Sequence, residues 1–284
     1  MRMGMKKRGN VANTIIYIIL SVLSVLWILP ILWLVITSFR AELGAWTPYI
    51  LPKEYTINNY TRLFTDTALF NYPRWFMNTL VVAVFSCIIT TILNLMTSYT
   101  LSRLRFKARR AILNIGLILG MFPGFMAMIA VYFLLKAIGL TQSLVALVLV
   151  YSAGAGLSYY IAKGFFDTIP KSLDEAATID GATQNMVFWK VILPLSKPIV
   201  IYSTLMAFMA PWLDFIFVSV IMKDNYNNYT VALGLWQMLT RENIYQYFTQ
   251  FCAGAVLISI PITLLFIKMQ KYYVEGVTAG GVKG

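Results

Sequence analysis

The 284-residue chain is 59% hydrophobic and only 12% charged, with a mean hydropathy of +0.72; soluble domains carry about a quarter charged residues, so a soluble enzyme is excluded. Lys and Arg total 23 against 11 Asp and Glu, a net +12, but the bases are scattered between apolar runs, which suits a membrane protein with basic edges and not a nucleic-acid binder. There is no histidine to serve as a general base or metal ligand, and Cys87 and Cys252 both lie inside apolar runs, so no disulfide framework or zinc site is readable.

A membrane-spanning helix needs about 20 consecutive apolar residues. Six stretches qualify, with cores near 14–38, 76–101, 112–135, 141–162, 199–222 and 248–267. The first follows Lys6, Lys7 and Arg8 as a secretory leader would. Its apolar part is far longer than the about 7–15 residues of a cleavable signal and no small-x-small site closes it, so it reads as a retained anchor. Segment 40–74, with Pro48, Pro52 and many aromatics, is a candidate for touching something outside the membrane.

The second span runs into five bases, Arg103, Arg105, Lys107, Arg109 and Arg110, which suit the headgroup layer. Within the third span, Met121-Phe122-Pro123-Gly124 reads as a fixed kink or as a hinge, because proline frees a backbone carbonyl. Sixteen of the 23 bases fall on the side that holds the two tails and the loops after spans two and four. Positive charge marks the cytoplasmic side, so both termini are expected inside, and an even span count requires them to share a side. The sequence therefore predicts an all-α integral membrane protein: a cytoplasmic tail 1–13, a six-span domain 14–267 and a cytoplasmic tail 268–284.

The loop 163–198 between spans four and five does not behave like a linker. It holds four of the eleven acids, Asp167, Asp174, Glu175 and Asp180. Ser172 and Glu175 have capping-box spacing, and Leu173, Ala176 and Ala177 share a helical face. Gly181 supplies a break or a left-handed cap. A second short helix, with Val187, Phe188 and Val191 on one face, runs to Pro194. Such a pair of helices either covers the inner face of the bundle or docks a partner.

Asp214 sits in the fifth span, in Pro211-Trp212-Leu213-Asp214-Phe215. A carboxylate inside an apolar span faces the bundle interior or an aqueous cavity. It either ties neighbouring helices or meets passing solute, with Trp212 and Phe215 offering apolar faces. The segment 223–247 is rich in aromatic and amide side chains, among them Asn227, Tyr229 and Trp236. These suit a wet recognition surface or an aromatic belt at the membrane interface.

The stretch EAATIDGATQNMVFWKVILP resembles the signature of permease subunits of bacterial ABC importers: Glu-Ala-Ala, three residues, Gly, nine residues, then Ile/Val-x-Leu-Pro. Here it maps to Glu175, Ala176, Ala177, Gly181, Val191, Leu193 and Pro194, with Asp180 and Ala182 completing Asp-Gly-Ala. NTLVVA, SRLRFKARR, AIGLTQS, IPKSLDEAA and the ending GVTAGGVKG extend the likeness over most of the chain. Together they resemble the smaller, six-span G-type permease of maltose/maltodextrin-type sugar importers.

That resemblance implies a type I importer permease in a bacterial inner membrane, working with a homologous second permease, two cytoplasmic ATPases and an extracytoplasmic sugar-binding protein. It implies that Glu175, Ala176, Ala177, Asp180, Gly181 and Ala182 form a coupling helix and turn received by an ATPase. For the 103–110 bases ATPase contact is the alternative to the headgroup layer, and for Gly276–Gly284 it is the alternative to the lipid surface. Asn227, Tyr229 and Trp236 become candidates for contact with the binding protein. ATP and magnesium are implied for the partner ATPase, not for this chain, in which no G-x-x-x-x-G-K-[ST] loop occurs. The implied cargo is maltodextrin or a related oligosaccharide. Permeases of the same family for another solute, and an ATP-independent secondary transporter, are the competing readings; the latter needs many intramembrane ionisable groups, and the spans offer only Asp214.

Overall fold

The computed structural model describes residues 2–154 and 158–278, with side chains at 13–124, 126–154 and 158–271. Positions 279–284 of the C-terminal tail lie outside the described residues. Among the described residues there is no β-strand, only one bridge between Arg40 and Tyr55, so the all-α expectation is borne out.

Two compact units are present. The first comprises the chain up to Phe70 together with Gln237–Leu257. Its long helix α1 (Arg2–Ser38) is followed by a short amphipathic α2 (Asn58–Thr65). Between them the buried Arg40 donates to the carbonyls of Glu42 and Gly44. Asn59 donates to the carbonyls of Ser38 and Arg40 at 2.9 and 2.8 Å and accepts from Thr249 at 3.0 Å. These bonds satisfy backbone groups that the non-helical turn leaves without partners.

The second unit comprises Asn71–Trp236 and the chain from Ile258 on. Its spine is α3 (Tyr72–Arg103), started by Asn71, whose side chain accepts from the Arg74 amide, and by Pro73 in the first turn. Then come α4 (Arg109–Gly120), α5 (Gly124–Ala137), α6 (Leu144–Ala153) and α7 (Ser158–Thr168). The 163–198 loop holds α8 (Ser172–Ile179), α9 (Gln184–Met186), a π turn (Val187–Ile192) and α10 (Leu193–Leu195). After it follow α11 (Lys197–Leu213), α12 (Ile216–Met222), α13 (Val231–Gln237) and α14 (Ile244–Thr278), the last with Pro261 inside and with its residues up to Leu257 in the first unit. Helices α6, α7 and α11 all pack on α3.

Three helical stretches, Asn13–Ser38, Tyr72–Arg103 and Ile244–Lys271, are unbroken and apolar over a membrane's thickness. The other three expected stretches are not single rods. Residues 112–135 divide into α4 and α5 at Met121–Pro123, 141–162 into α6 and α7, and 199–222 into α11 and α12 at Asp214–Phe215. Pro123 cannot continue α4 and instead stands at the N-cap of α5.

Candidate functional site

The 163–198 loop is built from its backbone outward. Helix α8 starts one residue earlier than capping-box spacing implies: Lys171 is the N-cap, without a side-chain cap, and Ser172 is already helical. The Glu175 amide is satisfied by the Lys171 carbonyl at 3.1 Å. The capping box is therefore corrected, and Glu175 is exposed. Asp174 and Glu175 still place negative charge in the first turn, where the helix dipole favours it.

The other end of α8 meets expectation. Gly181 has φ +85°. Its amide donates to the Thr178 carbonyl at 3.0 Å, and the Ala182 amide to the Ala177 carbonyl at 2.9 Å. These are the two bonds of a Schellman closure. Ala177 and Ala182, joined by the second bond, pack on a buried cluster of Leu95, Tyr99, Ala162, Phe166, Val187, Phe188, Ile192 and Ile199. Two small side chains thus anchor the turn, while Glu175, Ala176, Asp180 and Gly181 stay exposed and Ile179 is 85% exposed.

The second helix of the loop also needs a correction. The expected face was Val187, Phe188 and Val191; the fully sequestered residues are Val187, Phe188 and Ile192. The turn is π, with hydrogen bonds five residues apart, so the residue that returns beneath Val187 is Ile192. At Ser196 the chain bends 86° between Gln184–Leu195 and Lys197–Leu213.

Two of the five bases at 103–110 belong to this assembly. Arg103, nearly fully buried, lies 3.3 Å from the Asp174 carboxylate through Nε and donates from Nη2 to the Ile169 carbonyl at 2.9 Å. Arg109 donates to the Leu101 carbonyl at 2.7 Å, closing the end of α3. Burial raises the pKa of Asp174 from its ordinary value, against the lowering pull of Arg103. Arg103, Lys171, Asp174, Glu175, Ile179 and Gln184 are among the residues around a cavity of about 730 Å³ beside α8.

Inside the spans, Asp214 stands at the break between α11 and α12. Its Oδ1 accepts from the Phe217 amide at 3.0 Å and its Oδ2 from the Tyr151 hydroxyl at 2.9 Å. The carboxylate thus caps α12 and ties it to α6. It also lines a cavity of about 370 Å³ with Thr90, Asn94, Tyr151 and Ser203. Trp212 is not on that lining: it is 2% exposed and packs edge-on against Phe76 at 5.1 Å. Phe215 instead meets Trp236, 4.8 Å between ring centroids.

The 223–229 segment is held to the bundle by its own amides and carbonyls. The Asn227 carbonyl accepts from Arg74 and Asn78 at 2.8 and 2.9 Å. Asn225 and Asn228 donate to the Gln142 carbonyl. The Tyr229 ring is buried, its hydroxyl donating to the Lys223 carbonyl at 2.5 Å. Asn227 and Trp236 remain exposed, so of the three expected contact residues only Tyr229 points inward.

Counting charges missed a second feature of α3. Ser86, Thr90, Asn94, Ser98 and Ser102 recur every fourth residue and form one polar stripe along the helix. Ser98 donates to the Asn94 and Tyr159 carbonyls, Thr90 to the Tyr151 carbonyl, and Ser102 to Asp167. A search for small polar residues at helical spacing would have found it.

Comparison with known proteins matches the architecture. Residues 94–278 match the family described as binding-protein-dependent transport system inner membrane component. The galactooligosaccharides transport system permease protein GanQ of Bacillus subtilis (strain 168) is 36% identical over 99% of both chains. The maltodextrin transport system permease protein MdxG of the same organism is 35% identical over 94% of this chain and 95% of its own. MalD, a maltodextrin transport system permease protein of Streptococcus pneumoniae (strain ATCC BAA-255 / R6), is 33% identical over the full length of both. A crystal structure of a bacterial ABC transporter involved in the import of the acidic polysaccharide alginate shares the fold, with a TM-score of 0.78 over 93% of this chain and 97% of that one at 21% identity. The helical architecture, the interrupted spans and these matches together make the chain a multi-pass inner-membrane permease of the binding-protein-dependent transport system inner membrane component family.

Proposed function

We propose that this chain is the six-span permease subunit of an ATP-driven, binding-protein-dependent importer for a neutral oligosaccharide of the maltodextrin or galactooligosaccharide class. Both termini and the 163–198 loop lie on the cytoplasmic side in this reading. The chain forms the translocation path with a second, homologous permease. Two ATPase subunits supply the energy, and an extracytoplasmic binding protein delivers the sugar. The cargo class rests on the names of GanQ, MdxG and MalD, and the orientation on the distribution of bases.

The observation that carries the coupling role is the surface of α8. An amphipathic helix that ends in a closed turn leaves a large apolar side chain, Ile179, 85% exposed beside the exposed Glu175 and Asp180. A rigid knob of this kind suits insertion into a partner's groove. Glu175 and Asp180 add charge for a basic rim, and Ala176 and Gly181 permit close approach.

The test is reconstitution of the chain with its partner permease, ATPases and binding protein in proteoliposomes. ATP hydrolysis is expected to rise when the binding protein is supplied with maltotriose or a galactotriose, and Ile179→Asp is expected to abolish that rise. Solute uptake by the chain alone, without ATP, would overturn the reading in favour of a secondary transporter.

A further inference from the structure

Asn94 lies nine residues before Arg103 on α3, roughly 14 Å along the axis at about 1.5 Å per residue, and so deep within the span. It is 2% exposed. Its Nδ2 donates to the Ser203 hydroxyl of α11 at 3.2 Å, but its Oδ1 is buried with no hydrogen-bond partner among the described residues. On α6, Ser152 is 6% exposed and its Oγ is likewise buried without a partner among the described residues. Both residues line one cavity of about 440 Å³, together with Thr97, Gly116, Gly120 and Tyr159. Asn94 also lines the second cavity, of about 370 Å³, that holds Tyr151, Ser203 and Asp214.

An unsatisfied buried polar atom costs about 1–3 kcal/mol, and hydrocarbon offers no water to relieve it. Two such atoms lie on different helices, in residues that line one cavity, and a small turn of either side chain would bring its polar atom to a polar ligand that enters it. Both cavities fall within the about 300–1,000 Å³ of small-molecule sites. The groups on offer are an amide oxygen, hydroxyls that can donate or accept, and a single carboxylate already accepting from Tyr151 and Phe217. With no cation among the residues of either lining, the chemistry fits a neutral polyhydroxylated ligand whose hydroxyls donate to Asn94 Oδ1 and exchange hydrogen bonds with Ser152.

We propose that the cleft around Asn94 and Ser152 is a sugar-hydroxyl subsite, so that this subunit itself contacts the passing oligosaccharide. This deepens the proposed function and rests on it. The site acts while sugar crosses the membrane, after the binding protein has already triggered the ATPases. Losing it therefore separates transport from hydrolysis.

The experiment uses the complete transporter in proteoliposomes, with saturating binding protein and radiolabelled maltotriose or galactotriose, whichever stimulates the wild-type ATPase. Uptake and ATP hydrolysis are measured together for Asn94→Leu, Asn94→Gln and Ser152→Ala. Asn94→Leu is expected to lower sugar moved per ATP at least fivefold with stimulated hydrolysis kept within twofold, Ser152→Ala to lower it about twofold, and Asn94→Gln to restore most of the loss. Unchanged sugar per ATP in both Asn94→Leu and Ser152→Ala would overturn the subsite, as would a parallel fall of uptake and hydrolysis in both, which marks a structural role. If the wild-type complex neither hydrolyses ATP in response to the binding protein nor takes up either sugar, the proposed function fails, and the subsite with it.

Discussion

Two interruptions of the helical chain, at Gly181 and at Asp214, are closed by opposite means. At Gly181 the backbone closes itself, through the Gly181 and Ala182 amides on the Thr178 and Ala177 carbonyls. The turn asks only for a residue at ease with φ +85°. At Asp214 a side chain does the closing, by accepting from the Phe217 amide and the Tyr151 hydroxyl. Water solvates spare polar groups around an exposed turn, whereas hydrocarbon demands a partner from the protein for every one. The loop break is thus defended by conformation and leaves its side chains exposed. The membrane break is defended by chemistry and spends its side chain on holding two helices together.

The sharpest way to break this contrast is Asp214→Ala. It removes both acceptors, orphaning the Tyr151 hydroxyl and the Phe217 amide at about 1–3 kcal/mol each. Uptake by the reconstituted transporter is expected to fall at least tenfold, while co-purification with the other subunits persists. Asp214→Asn keeps one acceptor oxygen and is expected to show reduced uptake of smaller extent. Normal uptake in both variants would show that the break does not need its carboxylate.

Next in size is Arg103→Ala, which tests the loop through its buried cation. Breaking a fully buried ion pair costs about 3–5 kcal/mol, and the partial exposure of Asp174 places this one lower. The variant also has a pH signature. Burial already raises the Asp174 pKa, and Arg103 is the stronger of the two cations that lower it, Lys171 being the other, so removing Arg103 raises it further. A carboxyl with a raised folded-state pKa stabilises the fold at pH below its unfolded value, and that stability is lost as pH rises through the folded value. Limited proteolysis of the 163–198 loop in Arg103→Ala is therefore expected to be slow at acid pH and to quicken toward neutrality. Cleavage independent of pH would remove the Arg103–Asp174 contact from the account.

The same contrast explains what the sequence could and could not disclose. The membrane class and the Gly181 turn were readable, because long apolar runs and a glycine at a helix end leave strong compositional marks. The splitting of three stretches into helix pairs was not, because apolar runs look alike whether straight or broken. Only Pro123 announced its break; Asp214 read as a carboxylate inside one continuous span. Ser172 matched a capping box by spacing, yet the Lys171 carbonyl reached the Glu175 amide first. Val191 gave way to Ile192 because a π turn changes the period. The neutral stripe of α3 escaped a search based on charge, and Arg103 read as one base among five until its burial against Asp174 set it apart.

Gly181→Ala tests the loop break by conformation alone. A Cβ at Gly181 meets no atom within 4 Å, so the penalty is the left-handed backbone itself, about 1–2 kcal/mol for a residue other than glycine. Binding-protein-stimulated ATP hydrolysis is expected to drop severalfold, and Gly181→Asn to drop it less, because asparagine tolerates φ > 0 better. Equal loss in the two variants would point to contact with a partner at that position and not to backbone strain.

The smallest effect is expected where the membrane break meets the 223–247 segment. Phe215, next to Asp214, packs on Trp236 with 4.8 Å between centroids. An aromatic pair contributes about 0.5–1.5 kcal/mol beyond its buried area, and the exposure of Trp236 places this pair at the low end. Trp236→Ala removes both the pair and any contact Trp236 makes with a binding protein. Phe215→Leu removes the pair alone. If the pair transmits arrival of the binding protein to the break, both variants lower maximal ATPase stimulation by about twofold and leave half-saturation by the binding protein unchanged. If Trp236 is itself a contact residue, Trp236→Ala raises the half-saturating concentration and Phe215→Leu does not. A shift in half-saturation confined to Trp236→Ala would place that residue on the docking surface and remove the Phe215–Trp236 pair from what holds the break.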